Sequence, residues 1–249
     1  MKLADEYRRQ FAWRSWMQVF AALPALAGQT VLDLGCGVGD QAAELVGRGA
    51  SVLGFDTNEE LLREARAMRL PHAEFREADL RALPALPTPA DGLWCSFATA
   101  YFPDLAPVLA AWSRQVRAGA WIALTEIDDL FAHEPLEPTA ASLLAGYAQE
   151  ALAAGRYDFK MGRKLADHVQ RAGFTVGKVL TLADQEFSCH GPAQPSVVEA
   201  WRTRFDRMGL LREFCGTQFE QVRDEFLQCL VREDHRSAAK VTCCIATKS

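Results

Sequence analysis

The ten residues VLDLGCGVGD, from Val31 to Asp40, decide the fold of this chain. They begin as an apolar strand that carries one acid, Asp33, and continue with three glycines at alternate positions before a helix starts at Asp40. Glycine lets a backbone turn sharply and lie against a ligand because it has no Cβ. We interpret this strand, turn and helix as a nucleotide-binding unit.

The turn differs from both common phosphate-binding turns. No glycine-lysine-serine/threonine sequence follows the strand, which excludes the P-loop. The dinucleotide pattern is G-x-G-x-x-G, whereas here the third glycine, Gly39, comes one position early and is followed by Asp40. A pyrophosphate at the helix N-terminus would meet the carboxylates of Asp33 and Asp40, while a cationic ligand would be attracted to them.

The pattern Asp33-x-Gly35-x-Gly37-x-Gly39 resembles the first motif of the class I S-adenosylmethionine-dependent methyltransferases. The resemblance implies that the turn binds S-adenosyl-L-methionine and that S-adenosyl-L-homocysteine is the product. It assigns cofactor contacts in the turn to Asp33, Gly35, Cys36, Gly37 and Gly39.

An acid at the end of the second predicted strand matches the ribose position. Asp56 follows the strand 51–55 and lies 19 residues after Gly37, close to the roughly 20 residues typical of a ribose-binding carboxylate. We predict that Asp56 and Thr57 bind the cofactor. The alternative is that Asp56 only caps the next helix, for which Thr57 and Glu60 form a candidate capping box.

A third acid, Asp79, follows a predicted strand at 73–76. In the family that the chain resembles, an acid at this position meets the adenine amino group. The resemblance therefore implies adenine contacts from Asp79 and from the backbone of Leu80. A solvated loop is the alternative for this segment.

The fourth predicted strand, 92–97, ends where the resemblance implies the methionine part of the cofactor and the incoming substrate. We predict that Ser96 and Phe97 bind the cofactor and that Tyr101 is a catalytic candidate. The alternative for the aromatic side chains is ordinary core packing.

Candidate bases follow the fifth predicted strand, 120–125. Glu126, Asp128, Asp129 and His133 cluster there, on the side where parallel sheets bind ligands. We take His133 as the catalytic candidate, with His190 as a second histidine. Because acids after a strand commonly cap loops, we expect no metal.

Two segments lie outside the alternating strands and helices that form the sheet. Residues 1–29 predict an amphipathic helix with aromatic and arginine side chains, and related enzymes place here a helix that closes over the cofactor. Arg14 is our candidate partner for the methionine carboxylate. Residues 191–235 predict two helices and resemble the substrate-covering lid of the ubiquinone/menaquinone-biosynthesis methyltransferases. The alternative is a second small core that touches no substrate.

Strands and helices alternate along residues 30–182, which predicts an α/β fold with a mostly parallel sheet covered by helices on both faces. We expect a Rossmann-like sheet of seven strands whose last strand, near 239–247, is antiparallel. The single domain 1–249 would comprise a helical cap (1–29), a core (30–190), a lid (191–235) and the final strand (236–249).

The composition and charge of the chain limit the classes of protein to which it can belong. Hydrophobic residues make up 49% and charged residues 24%, the net charge is −5, and no apolar run is long enough to cross a membrane. An acidic chain is unlike most nucleic-acid binders, which carry a basic surface. The first residues lack the apolar core of a signal peptide, and the seven cysteines show no metal-site spacing. We therefore expect a cytoplasmic monomer or homodimer that binds no nucleic acid.

Together these features predict a methyltransferase (EC 2.1.1.-) that transfers a methyl group from S-adenosyl-L-methionine to a small molecule by in-line displacement. RNA or protein methylation is one alternative. A nicotinamide-dependent oxidoreductase and a cofactor-binding protein without catalysis are the others. The accepting atom, oxygen, nitrogen, carbon or sulfur, is left open by the sequence.

Overall fold

The central element of the computed structural model, which describes residues 3–249, is a seven-stranded sheet. Residues 1 and 2 of the predicted cap lie outside the described residues. The strands of this sheet are β1 (Thr30–Leu34), β2 (Ser51–Asp56), β3 (Ala73–Glu77), β4 (Ala90–Ser96), β5 (Val116–Asp128), β7 (Phe174–Leu182) and β9 (Lys240–Lys248). Two shorter strands, β6 (His133–Glu134) and β8 (Arg236–Ser237), pair separately.

The strand order is β3-β2-β1-β4-β5-β9-β7. Strands β1 to β5 pair in parallel, and β9 lies antiparallel between β5 and β7. This confirms the predicted Rossmann-like sheet and its antiparallel last strand. Since the chain order reverses between β1 and β4, a crevice opens at the carboxyl ends of these two strands, where such sheets bind ligands.

Ten helices are present in residues 3–249, and none of them is long and apolar enough to cross a membrane. They are α1 (Leu3–Ala12), α2 (Trp16–Phe20), α3 (Asp40–Gly47), α4 (Glu59–Ala67), α5 (Ala106–Ser113), α6 (Pro138–Ala153), α7 (Leu165–Arg171), α8 (Pro195–Arg207), α9 (Gly209–Cys215) and α10 (Phe219–Leu230).

Helices cover both faces of the sheet because its central strands are apolar on both sides. In β5, Trp121 and Ala123 belong to one hydrophobic cluster, and Ile122 and Leu124 belong to the other. The first cluster includes side chains of α3, α6 and α8 to α10, and the second includes those of α5 and α7. This continuous burial is typical of parallel strands packed between two helical layers.

Three sequence expectations about the elements were wrong in detail. The N-terminal segment forms two short helices rather than one, and the insertion forms three helices rather than two. The backbone of Met208, at φ −80° and ψ 65°, leaves the helical region and separates α8 from α9. The fifth strand, predicted at 120–125, extends over Val116–Asp128, because α5 already ends at Ser113.

We predict that Gly92→Ala destabilises the fold. Gly92 of β4 pairs with Trp121 of β5, and a Cβ at Gly92 would lie 2.1 Å from the Trp121 ring. The indole cannot easily move, since it is buried and donates to Gln29 at 2.7 Å. Denaturant unfolding should show a loss of about 1–3 kcal/mol.

The matched control is Gly47→Ala at the end of α3, where an added Cβ would meet no atom within 4 Å. Alanine is the better helix former by about 0.5–1 kcal/mol, so this variant should be neutral or slightly stabilised. Equal stability of the two variants would contradict the predicted clash.

Candidate active site

A cavity of about 670 Å³ lies at the carboxyl edge of the sheet. The glycine turn and the ends of β2 and β4 form one wall, and α1 and α8 form the opposite wall. All of the predicted cofactor contacts and the catalytic candidate Tyr101 line this cavity, except Asp33 and Gly39, and the catalytic candidate His133 does not. On the α1 side the lining residues recur at helical spacing and are Leu3, Glu6, Tyr7, Gln10 and Phe11.

The glycine turn is bound to the end of β2. The amides of Gly35 and Cys36 donate to the Phe55 carbonyl at 2.8 and 3.0 Å. Gly35 has φ +76°, and a Cβ there would lie 2.9 Å from the Cβ of Ala98. The turn therefore requires glycine both for its backbone conformation and for the close approach of the loop after β4.

Gly39 has a different role from the other two glycines. It precedes α3 in the left-handed conformation, at φ +86°. A Cβ at Gly39 would lie 3.2 Å from side-chain atoms of Ala65 and Phe75. This glycine allows α3 to pack against its neighbours and does not reach the cavity.

Asp56 joins the turn to the next loop. Its Oδ2 accepts the Gly37 amide at 2.9 Å, and its Oδ1 accepts the Asn58 amide at 2.9 Å. The helix that follows is capped by Asn58, whose Oδ1 accepts two amides of α4, so the predicted capping box of Thr57 and Glu60 was wrong. Neither Asp56 nor Thr57 caps this helix, and both line the cavity.

The adenine-side candidates lie after β3. The Oδ1 of Asp79 accepts the Arg81 amide at 2.8 Å, which orders this loop. The Leu80 carbonyl accepts the indole N–H of Trp112 at 2.8 Å, so the backbone of Leu80 is anchored to the core below. Asp79 and Leu80 lie on the cavity wall together with Asp56.

The end of β4 contains a strained residue. Phe97 has φ +57°, a conformation that costs about 1–3 kcal/mol in a residue other than glycine. Its amide donates to Thr125 at 2.9 Å, and its ring is covered by the Arg14 guanidinium at 4.5 Å. The neighbouring Ser96 presents a buried hydroxyl without a protein partner on the cavity wall.

Arg14 reaches the cavity but is already paired. Its Nε lies 2.7 Å from Asp184, and its terminal nitrogen lies 3.3 Å from Glu186. Both carboxylates are buried, as is Arg14 itself. A methionine carboxylate at Arg14 would therefore share a guanidinium that two acids already hold.

Asp33 lies beneath the turn rather than on the cavity wall. It is 2% exposed, and its Oδ2 has no hydrogen-bond partner. Burial, reinforced by the charge of Asp56, raises the pKa of Asp33 to about 8. We expected a carboxylate facing the ligand, but at neutral pH Asp33 is a neutral acid, so the negative charge beside the turn comes from Asp56 and Asp40.

His133 is held in an apolar pocket away from the cavity. The Nδ1 of His235 lies 2.9 Å from the Gly191 carbonyl and must donate to it, so the Nε2 of His235 accepts from the Nδ1 of His133 at 3.0 Å. The Nε2 of His133 has no partner. Burial, followed by the imidazoles of His235 and His190, lowers the pKa of His133 to about 3. This placement does not support His133 as the catalytic base, and His190 is likewise absent from the lining.

The acids predicted after the fifth strand are engaged structurally, and two of them, Glu126 and Asp128, lie inside β5. Glu126 is fully buried and accepts from Thr99 at 3.1 Å and from the Ala100 amide at 3.0 Å. Asp128 and Asp129 pair with Arg163. Within residues 3–249 no group of three histidine, cysteine, aspartate or glutamate side chains is arranged to hold a metal ion.

The sequence reasoning missed the basic residues of α8. Arg204 and Arg207 line the cavity, and they pair with Glu186 and Glu6. The helical spacing on α1 could have identified Glu6, since it lies on the same helix face as Leu3, Tyr7 and Gln10, which also line the cavity. No local signal marks the two arginines, because their place in the site depends on how α8 packs against α1.

Comparison with known proteins agrees with this arrangement. Residues 31–119 match the sequence family described as a methyltransferase domain. The chain is 30% identical over 179 residues to the ubiquinone biosynthesis O-methyltransferase of Pseudomonas fluorescens Pf-5. That alignment covers 69% of this chain and 75% of the relative. It is 37% identical over 126 residues to the trans-aconitate 2-methyltransferase of Azoarcus sp. BH72. That alignment covers 50% of this chain and 47% of the relative.

The chain thus spans about half the length of the trans-aconitate methyltransferases that it matches. Among solved structures, the S-adenosylmethionine-dependent methyltransferase of Mesorhizobium loti superimposes with a TM-score of 0.55. That superposition covers 92% of this chain and 96% of the other at 21% identity, and it shows a shared fold.

We predict that Asp33→Asn becomes more stable, relative to the wild type, as the pH rises. The pKa of Asp33 is about 8 in the folded protein against 3.8 for a free side chain. Between pH 3.8 and pH 8 the folded state therefore holds a proton that the unfolded state has lost. The stability that this proton confers decreases as the pH rises and is lost once the pH passes 8. Asparagine cannot ionise, so the difference in unfolding free energy should grow by more than about 1 kcal/mol between pH 5 and pH 8, the limit being about 1.4 kcal/mol per pH unit.

Denaturant unfolding at both pH values measures this difference, with the exposed Asp104→Asn as the control. A difference that does not change with pH would mean that Asp33 is ionised in the folded protein.

Proposed function

This chain belongs to the class I S-adenosylmethionine-dependent methyltransferases, and we propose that it methylates a small-molecule acceptor in the cavity described above. One observation carries the proposal. The glycine turn, Asp56 and Asp79 share a single cavity with aromatic and charged side chains of α1 and α8. One wall thus has groups suited to an adenosyl cofactor, and the opposite wall is free for an acceptor.

The residues of the first wall fit S-adenosyl-L-methionine. Asp56 keeps acceptor capacity for ribose hydroxyls, because each carboxylate oxygen takes only one backbone amide. Asp79 and Leu80 would hold the adenine, and Thr57 lies beside them on the wall. The unpartnered hydroxyl of Ser96 is available to the methionine part.

When bound, the cofactor supplies a methyl group on a positively charged sulfur. The contribution of this chain is to align the acceptor and to exclude water. Alignment alone can lower a barrier by up to ~7–11 kcal/mol. Tyr101 at the cavity remains our candidate for positioning the acceptor, whereas His133 does not reach it.

A cavity walled by α1 and α8 suits a small acceptor better than RNA or a protein chain, which would need an open groove. The carboxylates of Asp40 and Asp56 on its wall disfavour the pyrophosphate of a nicotinamide cofactor. The names of the relatives agree with a small acceptor, since those proteins act on trans-aconitate or in ubiquinone biosynthesis.

The proposal is tested by calorimetry and turnover. We expect S-adenosyl-L-homocysteine and S-adenosyl-L-methionine to bind and NAD to bind far more weakly. Labelled methyl transfer to a panel of small acids, phenols and amines would then establish catalysis. Tighter binding of NAD would overturn the proposed cofactor, and transfer to RNA or protein alone would overturn the acceptor class.

We predict that Asp56→Ala weakens binding of S-adenosyl-L-homocysteine by about 1–3 kcal/mol, because the ribose hydroxyls lose their acceptor. This variant also frees the amide of Gly37, so Asp56→Asn serves as a second variant that keeps an acceptor oxygen and should lose less. Calorimetry gives both affinities. The exposed Glu60→Ala on α4 is the matched control, and an Asp56→Ala affinity equal to that of the control would refute the ribose role.

A further inference from the structure

The acceptor half of the cavity contains Tyr101 and Tyr157, while Tyr7 lies against the glycine turn, where a Cβ at Gly37 would be 3.2 Å from its ring. The chain has four tyrosines, and Tyr7, Tyr101 and Tyr157 all line this cavity. The rings of Tyr101 and Tyr157 meet edge to face at 4.9 Å. Desolvation, reinforced by the nearby Tyr101 and Asp56, raises the pKa of Tyr7 to about 12, and burial raises the pKa of Tyr157 as well. The hydroxyls of Tyr7 and Tyr157 therefore stay protonated and can donate hydrogen bonds.

Arg204 adds a cationic donor among these hydroxyls. Its guanidinium is held by the fully buried Glu186 and lies over the ring of Phe187 at 5.0 Å. Glu186 also binds Arg14, so one carboxylate positions two guanidinium groups at the cavity. The Nε of Arg204 is buried and has no acceptor in the protein, an arrangement that is unfavourable unless a ligand supplies one.

The cavity offers few candidate general bases beyond the carboxylates of the cofactor wall. Its lining within residues 3–249 contains neither histidine nor lysine. Glu6 is held by Arg207 and by the Gln10 amide, and burial keeps the Cys36 thiol protonated by raising its pKa. A phenol or an ammonium group would need a base to remove its proton. A carboxylic acid is already ionised at neutral pH.

We propose that the acceptor is a carboxylic acid whose carboxylate is bound by Arg204 and the tyrosine hydroxyls and is methylated to a methyl ester; this inference rests on the proposed function. A lone pair of one carboxylate oxygen forms the new bond to the methyl carbon. The bond from that carbon to sulfur breaks, and its electron pair remains on sulfur as the sulfonium becomes a neutral thioether. No proton moves, which agrees with the absence of histidine and lysine from the described lining.

The test uses methyl-labelled S-adenosyl-L-methionine with trans-cinnamate, succinate and trans-aconitate as acids. Cinnamyl alcohol, 4-methylphenol and phenethylamine are the matched acceptors without a carboxylate. Mild alkali releases labelled methanol from a methyl ester but not from an aryl ether or a methylated amine. We expect an alkali-labile product from at least one acid and a kcat/KM that is flat from pH 6 to pH 7.5, below the pKa of about 8 of Asp33.

An alkali-stable product from the phenol or the amine would overturn the carboxylate proposal while leaving the methyltransferase function intact. Binding of the cofactor with no ester from any acid would overturn it too. Failure to bind S-adenosyl-L-methionine at all would instead refute the proposed function, so the two outcomes are distinguishable.

Variants of α8 locate the carboxylate site. Arg204→Gln should raise the KM for the methylated acid by about 10- to 100-fold, the effect of losing a hydrogen bond to a charged group. Its affinity for S-adenosyl-L-homocysteine should stay unchanged, which also shows that the variant is folded. Arg202→Gln is the matched control, because Arg202 is exposed on the same helix and pairs with Glu199.

Tyr157→Phe is the second variant, since it removes one hydroxyl and leaves the charges intact. It should also raise the KM, with a smaller effect on kcat. An unchanged KM in both Arg204→Gln and Tyr157→Phe would overturn the proposed carboxylate site.

Discussion

The hydrogen bonds between the glycine turn and the end of β2 are the contact on which the candidate site depends. The Phe55 carbonyl takes the amides of Gly35 and Cys36, and the next residue, Asp56, takes the amide of Gly37 through its side chain. These bonds are possible because β1 and β2 run in parallel and reach the same edge of the sheet. The carboxylate that orders the turn is thus also presented to the cavity, so the binding wall and the fold share one set of bonds.

The opposite wall is held by charges rather than by backbone pairing. Glu6 of α1 meets Arg207 of α8, and Glu186 joins Arg14 to Arg204. Buried charges are tolerated only when they are paired, because taking them out of water is costly. The pairing brings α1 and α8, which lie far apart in the sequence, against the same cavity.

The two walls therefore differ in chemical character. The first has the acids Asp40, Asp56 and Asp79, which suit a ligand with hydroxyl, amino and cationic groups. The second has guanidinium and phenol groups, which donate hydrogen bonds. A donor-rich wall without a free base is suited to an acceptor that arrives as an anion. Under the proposed function, this separation would make the acceptor chemistry a property of α1 and α8 and the cofactor chemistry a property of the sheet.

The sequence by itself determined the glycine turn, the alternation of strands and helices and the antiparallel last strand, because glycine spacing and apolar patterns act locally on the backbone. Asp56 could be predicted because a fixed chain length separates it from the turn. Only the tertiary structure decided that Asp33 is buried and protonated, that His133 pairs with His235, and that Arg204 lines the cavity. Those properties depend on burial and on partners from distant elements, since a side chain's pKa and contacts are set by whatever packs around it and not by its neighbours in the chain.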